Sequence, residues 1–516
     1  MRSSRYHARQ HAAPRPEGLD IDTTAGQRDG ILILDNIEST YHLSHRVCEA
    51  DKHPNNPVMP LGDLHEWDAN QARPWSSPTV IWDDEDRVFK AWYSGSDLAP
   101  EKWTAMGYAT SQDGVTWEKP HLHLYSWRGS TANNIVALGY GPVLKDNDEP
   151  DPAKRYKMFK RGPRLRTDDA ITAPVPDYKG SRANYSPDGI HWTLGPKIDI
   201  PEWEGRSPDC GNLIRDDQDP DPSRRFKLIW QARTPLSRPD KPWGRAKLLA
   251  YGPDMVNIRN ADENPLLDPD DGVEYENHHV MYAPYGGAWA MAYEYGWYVP
   301  NGYGIYGSYC ADIRLAVSGD GLRFDRLDVE QPVIPRGGND EWDGGLLVIA
   351  DKPAIKDGTI HLFYGGNGEE WTSWPGENTP DEYPFASTGQ VRISRFGVAT
   401  LRQDGFTCLE TPDREVPGFA VTQPIERTDA STRLTLNIGD VRQNRSWIEV
   451  EVLDATTDQP FSGYSREDCR DLCTDGWSQP VTWNGGGIGD IPSGRFKLRF
   501  WLYGAARLYA YGFEPA

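Results

Sequence analysis

Four segments of the chain place carboxylates among aromatic, amide and basic side chains, a mixture suited to sugar chemistry. Cleavage of a glycosidic bond needs one acid that protonates the leaving oxygen and one carboxylate that attacks or activates water. Repulsion within a group of acids raises the pKa of some of them, as a proton donor requires. The candidate catalytic acids are Asp68, Asp209, Glu276 and Asp343.

Side chains suited to binding sugars accompany these acids. Tryptophan faces stack on sugar rings, while Asn, Arg and His side chains hydrogen bond to hydroxyl groups. The expected substrate contacts are Trp67, Arg73, Trp75, Asn134, Asn212, His278 and Trp342. For any single acid the alternative is a solvated or turn-capping role, because 77 of the 516 residues are Asp or Glu.

A short phrase recurs along the chain and indicates how these segments are positioned. It reads Ser-Gln-Asp-Gly-Val-Thr-Trp at residues 111–117 and returns at residues 186–192 and 318–324, with weaker echoes at 251–254 and 401–406. An Asp-Gly pair supplies the positive φ of a tight turn, and the aromatic residue packs beneath it. We therefore interpret the phrase as turn chemistry without a catalytic role.

Short β-type runs with aromatic clusters precede each phrase, for example at residues 88–93 and 360–364. Four antiparallel strands per repeat form a propeller blade. The sequence thus predicts an all-β protein with a polar N-terminal tail (residues 1–30) and a five-bladed β-propeller (residues 31–415). The entrances to the innermost strands of a propeller converge at one mouth, which would bring the candidate acids together.

After residue 415 the pattern changes to strands that alternate apolar and polar residues, as at residues 447–453 and 496–502. Alternation with a period of two over several short strands predicts a β-sandwich. We assign residues 416–516 to this second domain and expect it to be structural.

Composition excludes several functions. A net charge of −22 without a basic block argues against nucleic-acid binding. The chain lacks an apolar run of about 18 residues, so no membrane span is expected. The first thirty residues show no apolar core of a signal peptide, which favours a cytoplasmic location. No cofactor is implied, and the oligomeric state is left open.

The six cysteines show no framework of disulfides or metal ligands. Four are scattered among apolar or small residues, as reduced core thiols are. Cys469 and Cys473 lie four residues apart, but no second Cys or His pair stands nearby at zinc spacing. We therefore predict no metal site.

Several segments resemble one family in particular. They are residues 53–58, 89–93, 108–120, 129–136, 342–345 and 363–366, with 463–469, 481–483 and 508–511 near the C-terminus. In these segments the chain resembles the five-bladed propeller glycoside hydrolases of the fructosidase/arabinosidase superfamily (families 32 and 43), nearest to a branch described as similar to family 32. The resemblance implies an enzyme that hydrolyses glycosidic bonds, furanosidic ones above all, with acids around the propeller mouth.

The chain also departs from that family. Family 32 fructosidases typically carry Asn-Asp-Pro-Asn, Arg-Asp-Pro and Glu-Cys motifs at the first three blades. Here the second blade has Asn133-Asn134 and the third has Asp209-Cys210. The family's catalytic triad therefore cannot be transferred, and fructose specificity is not implied.

Three hypotheses remain beside each other. The first is an exo-acting glycoside hydrolase whose substrate is an oligosaccharide or glycoside. The second is a carbohydrate-binding propeller without catalysis, and the third is a metal-dependent lyase or hydrolase that uses His278 and His279. A sialidase-like hydrolase is disfavoured, because the sialidase box is Ser-x-Asp-x-Gly-x-x-Trp whereas Asp and Gly are adjacent here.

Overall fold

The computed structural model describes most of the chain and divides it into two compact units. One unit comprises residues 1–45 and 407–516, and the other comprises residues 46–406. Within the described residues every regular element is a β-strand or a short 3-10 turn, so the protein is all-β as predicted. The described residues are 31–32, 36–63, 65–69, 71–73, 79–96, 105–161, 171–172, 181–198, 200, 209–235, 243–267, 273–285, 288–299, 308–328, 330–368, 371–372, 394–426, 432–492 and 494–515.

Two regular four-stranded antiparallel sheets lie in the unit of residues 46–406. Each runs strand by strand in chain order, which is the meander predicted from the sequence. The strands of the first are Val143–Lys145, Tyr156–Arg161, Ser181–Ser186 and Lys197–Ile198. The strands of the second are Asp209–Arg215, Phe226–Pro235, Trp243–Gly252 and Arg259–Asn260.

The other large sheet of this unit has fifteen strands and contains three more meanders. The strands of the first meander are Gln71–Arg73, Thr79–Asp83, Val88–Ser96, Ala105–Ser111 and Ile135–Leu138. Those of the second are Val280–Tyr285, Ala288–Val299, Ser308–Ser318, Asp325–Leu327 and Trp371–Thr372. Those of the third are Leu346–Ile349, Ala354–Lys356, Thr359–Asn367, Ser394–Arg402 and Asp51–Lys52.

Small elements complete this unit. Strands Ser126–Trp127 and Ile171–Thr172 form a two-stranded sheet. The 3-10 turns Pro152–Lys154 and Pro222–Arg224 each begin after an aspartate whose side chain accepts a backbone N–H. In the described part of the chain no helix is long and apolar enough to cross a membrane.

The repeated Asp-Gly phrase forms the turn predicted for it. At the first copy the Asp113 carboxylate accepts the backbone N–H groups of Val115 and Thr116 at 2.8 and 2.7 Å, and Gly114 has a φ of +76°. The indole of Trp117 donates to the Gly114 carbonyl at 3.1 Å. The copies at Asp188 and Asp320 make the same backbone contacts. The structural interpretation of the phrase is confirmed.

A buried polar hub joins strands near the start of each meander. Asp351, directly after Leu346–Ile349, accepts a hydrogen bond from the Thr79 hydroxyl at 2.9 Å. The ammonium group of Lys352 donates to the carbonyl oxygens of Val143 and Leu213 at 2.9 and 3.3 Å. The Asp351 carbonyl accepts the Tyr282 N–H at 3.1 Å. Five segments distant in sequence therefore meet at Asp351 and Lys352.

The hub should make stability depend on pH. Burial raises the pKa of Asp351 to about 6. A carboxyl with a raised folded-state pKa destabilises the fold as pH rises from about 4 to 6, because the charged form must then be buried. We expect Asp351→Asn, which keeps an oxygen for Thr79, to gain about 3 kcal/mol relative to wild type across that window. Thermal melts of both proteins between pH 4.5 and 8 would check this, and parallel curves would refute it.

The unit of residues 1–45 and 407–516 contains two sheets around an apolar core. Core side chains such as Leu434, Leu436, Val450 and Phe500 are fully buried and come from both sheets. One sheet holds Ile31–Leu32, Thr407–Glu410, Thr432–Gly439, Gly476–Pro480 and Arg507–Pro515. The other holds Ile37–Tyr41, Gly418–Thr422, Ile425–Glu426, Trp447–Asp454 and Arg495–Tyr503.

Strand pairing places an early segment of the chain in this unit. Ile37–Tyr41 pairs with Gly418–Thr422, and Ile31–Leu32 pairs with Arg507–Pro515. The sequence alone predicts residues 31–45 to belong with the propeller of residues 31–415, whereas the structure groups them with residues 407–516. Strand Ser44–Val47 crosses the boundary between the units, and the 3-10 turns Arg466–Asp468 and Ile488–Asp490 complete the elements.

Candidate active site

Glu276 and His278, both predicted as site residues, lie together in the structure. The Glu276 carboxylate accepts hydrogen bonds from His278 Nε2 at 2.8 Å and from Arg245 Nη1 at 2.7 Å, both at Oε2. Glu276 is 5 % exposed, whereas a third of the Arg245 side chain is exposed. The arrangement is a buried carboxylate held by two donors, one of which reaches solvent.

Backbone pairing places Glu276 at the start of a meander. Glu276 forms a bridge with Gly296 and so extends the pairing of Val280–Tyr285 with Ala288–Val299 towards its N-terminal end. Arg245 belongs to the third strand of the neighbouring meander, whose first strand begins at Asp209. Two of the four predicted acids, Glu276 and Asp209, therefore belong to first strands or their direct extension.

A second group of titratable side chains lies behind Glu276. The Glu294 carboxylate accepts a hydrogen bond from the Tyr309 hydroxyl at 2.7 Å and contacts Nδ1 of His279. All three side chains are almost wholly buried. Burial lowers the pKa of His279 and raises that of Tyr309 well above its usual value. His279 is thus neutral at pH 7, and Tyr309 remains a phenol.

Aromatic rings border the same group. Tyr298 lies 5.0 Å from Tyr309 and 5.0 Å from Tyr275, the latter edge-on. Tyr275 and Tyr298 are half-buried, so part of each ring remains accessible. Sequence reasoning did not single out these two tyrosines, although Tyr275 directly precedes Glu276. Like the half-buried Trp342, they are candidates to contact a sugar.

Asp68 lies in a closed cluster rather than at an open mouth. Its carboxylate accepts hydrogen bonds from the Tyr93 hydroxyl and the Lys119 ammonium group, each at 2.7 Å. The indole of Trp67 donates to Asn134 at 2.9 Å, and the Asn134 amide donates to Tyr93 at 2.8 Å. Trp67 also packs on Tyr93 with ring centroids 5.6 Å apart. Asp68, Trp67 and Asn134 are each at most 3 % exposed.

Asp343 lies in a second cluster with the same design. Its carboxylate accepts hydrogen bonds from the Lys52 ammonium group at 2.7 Å and from the Tyr364 hydroxyl at 3.0 Å. The Asn56 amide donates to Tyr364 at 3.3 Å, and Trp342 stacks on Tyr364 at 5.5 Å. The Asp, Lys, Tyr, Asn and Trp of the first cluster thus all recur in the second.

A short repeat in the sequence underlies the two clusters. Residues 62–68 and 337–343 both read Gly-x-x-x-Glu-Trp-Asp. In each copy the glutamate accepts a backbone N–H near the start of the segment, at 2.7 Å for Glu66 and 2.8 Å for Glu341. This spacing is visible in the sequence but was overlooked beside the more frequent Asp-Gly phrase.

Both clusters lie over the outer strands of their meanders. Lys52 belongs to strand Asp51–Lys52, which pairs with Ser394–Arg402. Lys119 follows Glu118, which bridges Thr110 of the corresponding strand Ala105–Ser111. Asp68 and Asp343 contact neither each other nor Glu276 by hydrogen bond or ion pair, as far as the described residues show. These contacts favour an anchoring role for both aspartates.

Trp67, predicted as a sugar platform, lies packed inside the protein, and its role in sugar binding stays a prediction. Trp67 is 2 % exposed, and a Cβ on Gly95 or Gly107 would lie within 2.5 Å of its ring. Trp342 is half-buried and lies in the same way against Gly366 and Gly397. Both rings lie flat over strands. Those strands carry glycine at the points of contact, since a side chain there would displace the ring.

The predicted amide contacts with substrate are likewise occupied within the protein. Asn212 is wholly buried, and its amide group donates to the carbonyl oxygens of Tyr282 and Asp351 in the hub. Asn134 serves the Asp68 cluster. Trp75 and the side chains of Arg73 and Asp209 lie outside the described residues, so their predicted roles stay predictions.

Metal chemistry at His278 and His279 gains no support from the geometry. Each histidine contacts its own glutamate through one ring nitrogen, Glu276 and Glu294 respectively. Among the described residues no group of three His, Cys, Asp or Glu side chains is arranged to hold a metal ion. Cys469 and Cys473 are free thiols, and the Cys210 side chain lies outside the described residues.

Comparison with protein-family models finds no match to this chain. No curated protein matches its sequence either. Similar solved structures include a glycosyl hydrolase from Bacteroides ovatus, 14 % identical with a TM-score of 0.41, which covers 69 % of this chain and 94 % of that one.

Two further solved structures are also similar to this chain. A GH130 structure concerns glycoside hydrolases that target β-1,2-mannosidic linkages in Candida mannan. It is 14 % identical, has a TM-score of 0.42, and covers 69 % of this chain and 94 % of that one. The fructofuranosidase of Schwanniomyces occidentalis is 10 % identical with a TM-score of 0.38, over 88 % of this chain and 98 % of that one. Likeness this low leaves fold and activity to be argued from the chain's own residues.

Proposed function

We propose that this chain is an exo-acting glycoside hydrolase that cleaves furanosidic bonds. The observation that carries the proposal is the Glu276 site. There a buried carboxylate at the start of a meander is held by His278 and by a partly exposed Arg245. The half-buried Tyr275 directly precedes it in the chain, and Tyr298 lies edge-on to Tyr275. Carboxylates with aromatic faces and hydroxyl-binding donors are what glycoside cleavage needs.

We assign Glu276 the role of nucleophile or base. The two described partners, His278 and Arg245, both donate to Oε2, which fits a carboxylate that acts as an acceptor and not as a proton donor. Asp209 would serve as the acid that protonates the leaving oxygen. It starts the meander to which Arg245 belongs, and Arg245 already reaches Glu276. Asp68 and Asp343 would fasten the chain over the outer strands.

The architecture proposed with this function is a five-bladed β-propeller followed by a β-sandwich. Five meanders lie between residues 46 and 406, and the hub at Asp351 and Lys352 contacts early strands of four of them while belonging to the fifth. Early strands of successive meanders that meet at one place are what a propeller requires. The two packed sheets of the other unit support the sandwich.

A sialidase-like mechanism fits the site poorly. Such a mechanism would need a tyrosine nucleophile, and Tyr309 is the tyrosine that a glutamate contacts here. Its hydroxyl is buried and its pKa lies well above the usual value, both of which oppose formation of a phenolate. We therefore keep the carboxylate mechanism.

A substrate panel tests the proposal. Purified protein would be assayed against aryl arabinofuranosides and fructosides beside aryl galactosides, mannosides and xylosides, each as both anomers. Release of the aryl group from furanosides, with single terminal sugars released from oligosaccharides, is the expected result. Sugar binding by calorimetry without turnover on any substrate would instead support a carbohydrate-binding propeller.

A further inference from the structure

The buried group behind Glu276 points to a further functional residue. We propose that Glu294 is a positioning residue that fixes the His278 ring and, through it, the catalytic carboxylate of Glu276. This inference rests on the proposed function of Glu276. It goes beyond that function because Glu294 touches neither the Glu276 carboxylate nor solvent in the arrangement described.

Glu294 can act on His278 through two rings that it holds. One carboxylate oxygen accepts the Tyr309 hydroxyl at 2.7 Å, and the other contacts His279 Nδ1. The Tyr309 ring lies 5.4 Å from the His278 ring, and the His279 ring lies 6.4 Å from it at an interplanar angle of 21°. The His278 imidazole therefore lies beside two rings that are tied to one carboxylate.

The backbone strengthens this coupling. The Glu294 N–H donates to the His279 carbonyl at 2.9 Å, and the buried Lys247 ammonium group donates to the His278 carbonyl. Gly296 leaves room for the Tyr309 hydroxyl, since a Cβ there would lie 1.9 Å from that oxygen. The positions of His278 and Tyr309 are thus set by tight packing, and the carboxylate of Glu294 selects their orientation.

Proton positions follow from these contacts. A carboxylate only accepts, so His279 carries a proton on Nδ1 and His278 carries one on Nε2, facing Glu294 and Glu276 respectively. An amide in place of Glu294 would present N–H to one of its two donors. Either the amide donates to the Tyr309 oxygen and the Tyr309 proton must turn to another acceptor, or the amide donates to His279 Nδ1 and the His279 proton moves to Nε2. In both cases the rings beside His278 change their arrangement.

The test compares Glu294→Gln with Glu449→Gln. Glu449 is a matched control, because it too accepts a tyrosine hydroxyl, that of Tyr503 at 2.8 Å, but lies in the other unit. Nitrogen-15 NMR of the imidazoles would follow His278, assigned with a His278→Gln variant. Steady-state kinetics on the substrate found by the panel and thermal melts would accompany it.

We expect Glu294→Gln to shift the His278 imidazole signals and to lower kcat about 10²-fold, with KM within threefold, because a misplaced catalytic group loses rate more than binding. Glu449→Gln should leave both unchanged. Unchanged His278 signals in a folded Glu294→Gln protein would overturn the inference, as would wild-type kcat. If no glycoside is cleaved, the proposed function fails, whereas the NMR comparison still decides whether Glu294 positions His278.

Discussion

Replacing Glu276 by glutamine is expected to lower kcat about 10³-fold on the glycoside that the wild-type protein cleaves. Glutamine has nearly the same shape, and its amide oxygen still accepts a hydrogen bond from His278 or Arg245. It can neither attack the anomeric carbon nor take a proton from water. The melting temperature should fall by only a few degrees, because Arg245 loses a charged partner but is partly exposed and can be hydrated. Kinetics and thermal melts of the purified variant measure both effects.

Two comparisons make this result specific. Glu341→Gln serves as a control, because Glu341 is exposed and only accepts a backbone N–H from Gly338. Its kcat should stay within twofold of wild type. In Glu276→Ala, added formate should restore part of the turnover by filling the place of the missing carboxylate. Wild-type turnover in folded Glu276→Gln would remove Glu276 from the mechanism.

The parts of the fold that the sequence predicts are those governed by local chemistry. The Asp113 turn follows from its own seven residues, because the carboxylate and the positive φ of Gly114 close it without help from elsewhere. The aromatic strands follow from short runs of β-favouring residues. Such features require no knowledge of which strand lies beside which.

The functional roles of the acids could not be predicted from local sequence. Asp343 and its partner Lys52 are 291 positions apart, and nothing local to either residue shows that they pair. A position just before a first strand also does not fix the direction of a side chain. Asp343 turns towards the outer strands, whereas Glu276 extends an inner one. The distinction depends on strand register, which becomes visible only in three dimensions.

The hub was missed for a related reason. Asp351 and Lys352 follow a strand in a stretch that has the composition of an ordinary turn. Their importance comes from burial among strands from four other meanders, which also raises the pKa of Asp351. The strand entrances are recognisable in the sequence because acids and tryptophans are concentrated there. The places where those strands meet carry no comparable signal.

Asp68→Asn and Asp343→Asn should lower stability while leaving turnover within about threefold of wild type. Each aspartate is 2 % exposed and pairs with a lysine whose side chain is 19 or 26 % exposed. Removing one partner of a buried pair costs about 3–5 kcal/mol, and partial exposure of the lysine reduces this to about 2 kcal/mol per site. The melting temperature of each variant, measured by calorimetry, should fall by several degrees. That of the double variant should fall by the sum of the two effects.

The effects of these substitutions on stability and turnover, compared with those of Glu276→Gln, distinguish aspartates that stabilise the fold from carboxylates that act in catalysis. Asp86→Asn is the matched control for stability, because Asp86 pairs with Lys90 but its side chain is 62 % exposed. Its melt should stay within a degree of wild type. A loss of turnover of about 10²-fold or more in Asp68→Asn or Asp343→Asn, with an unchanged melt, would return that aspartate to the catalytic group. Glycoside cleavage needs two acids in different roles, whereas Asp68 and Asp343 have the same surroundings in the two clusters. The same modest loss of stability is therefore expected at each.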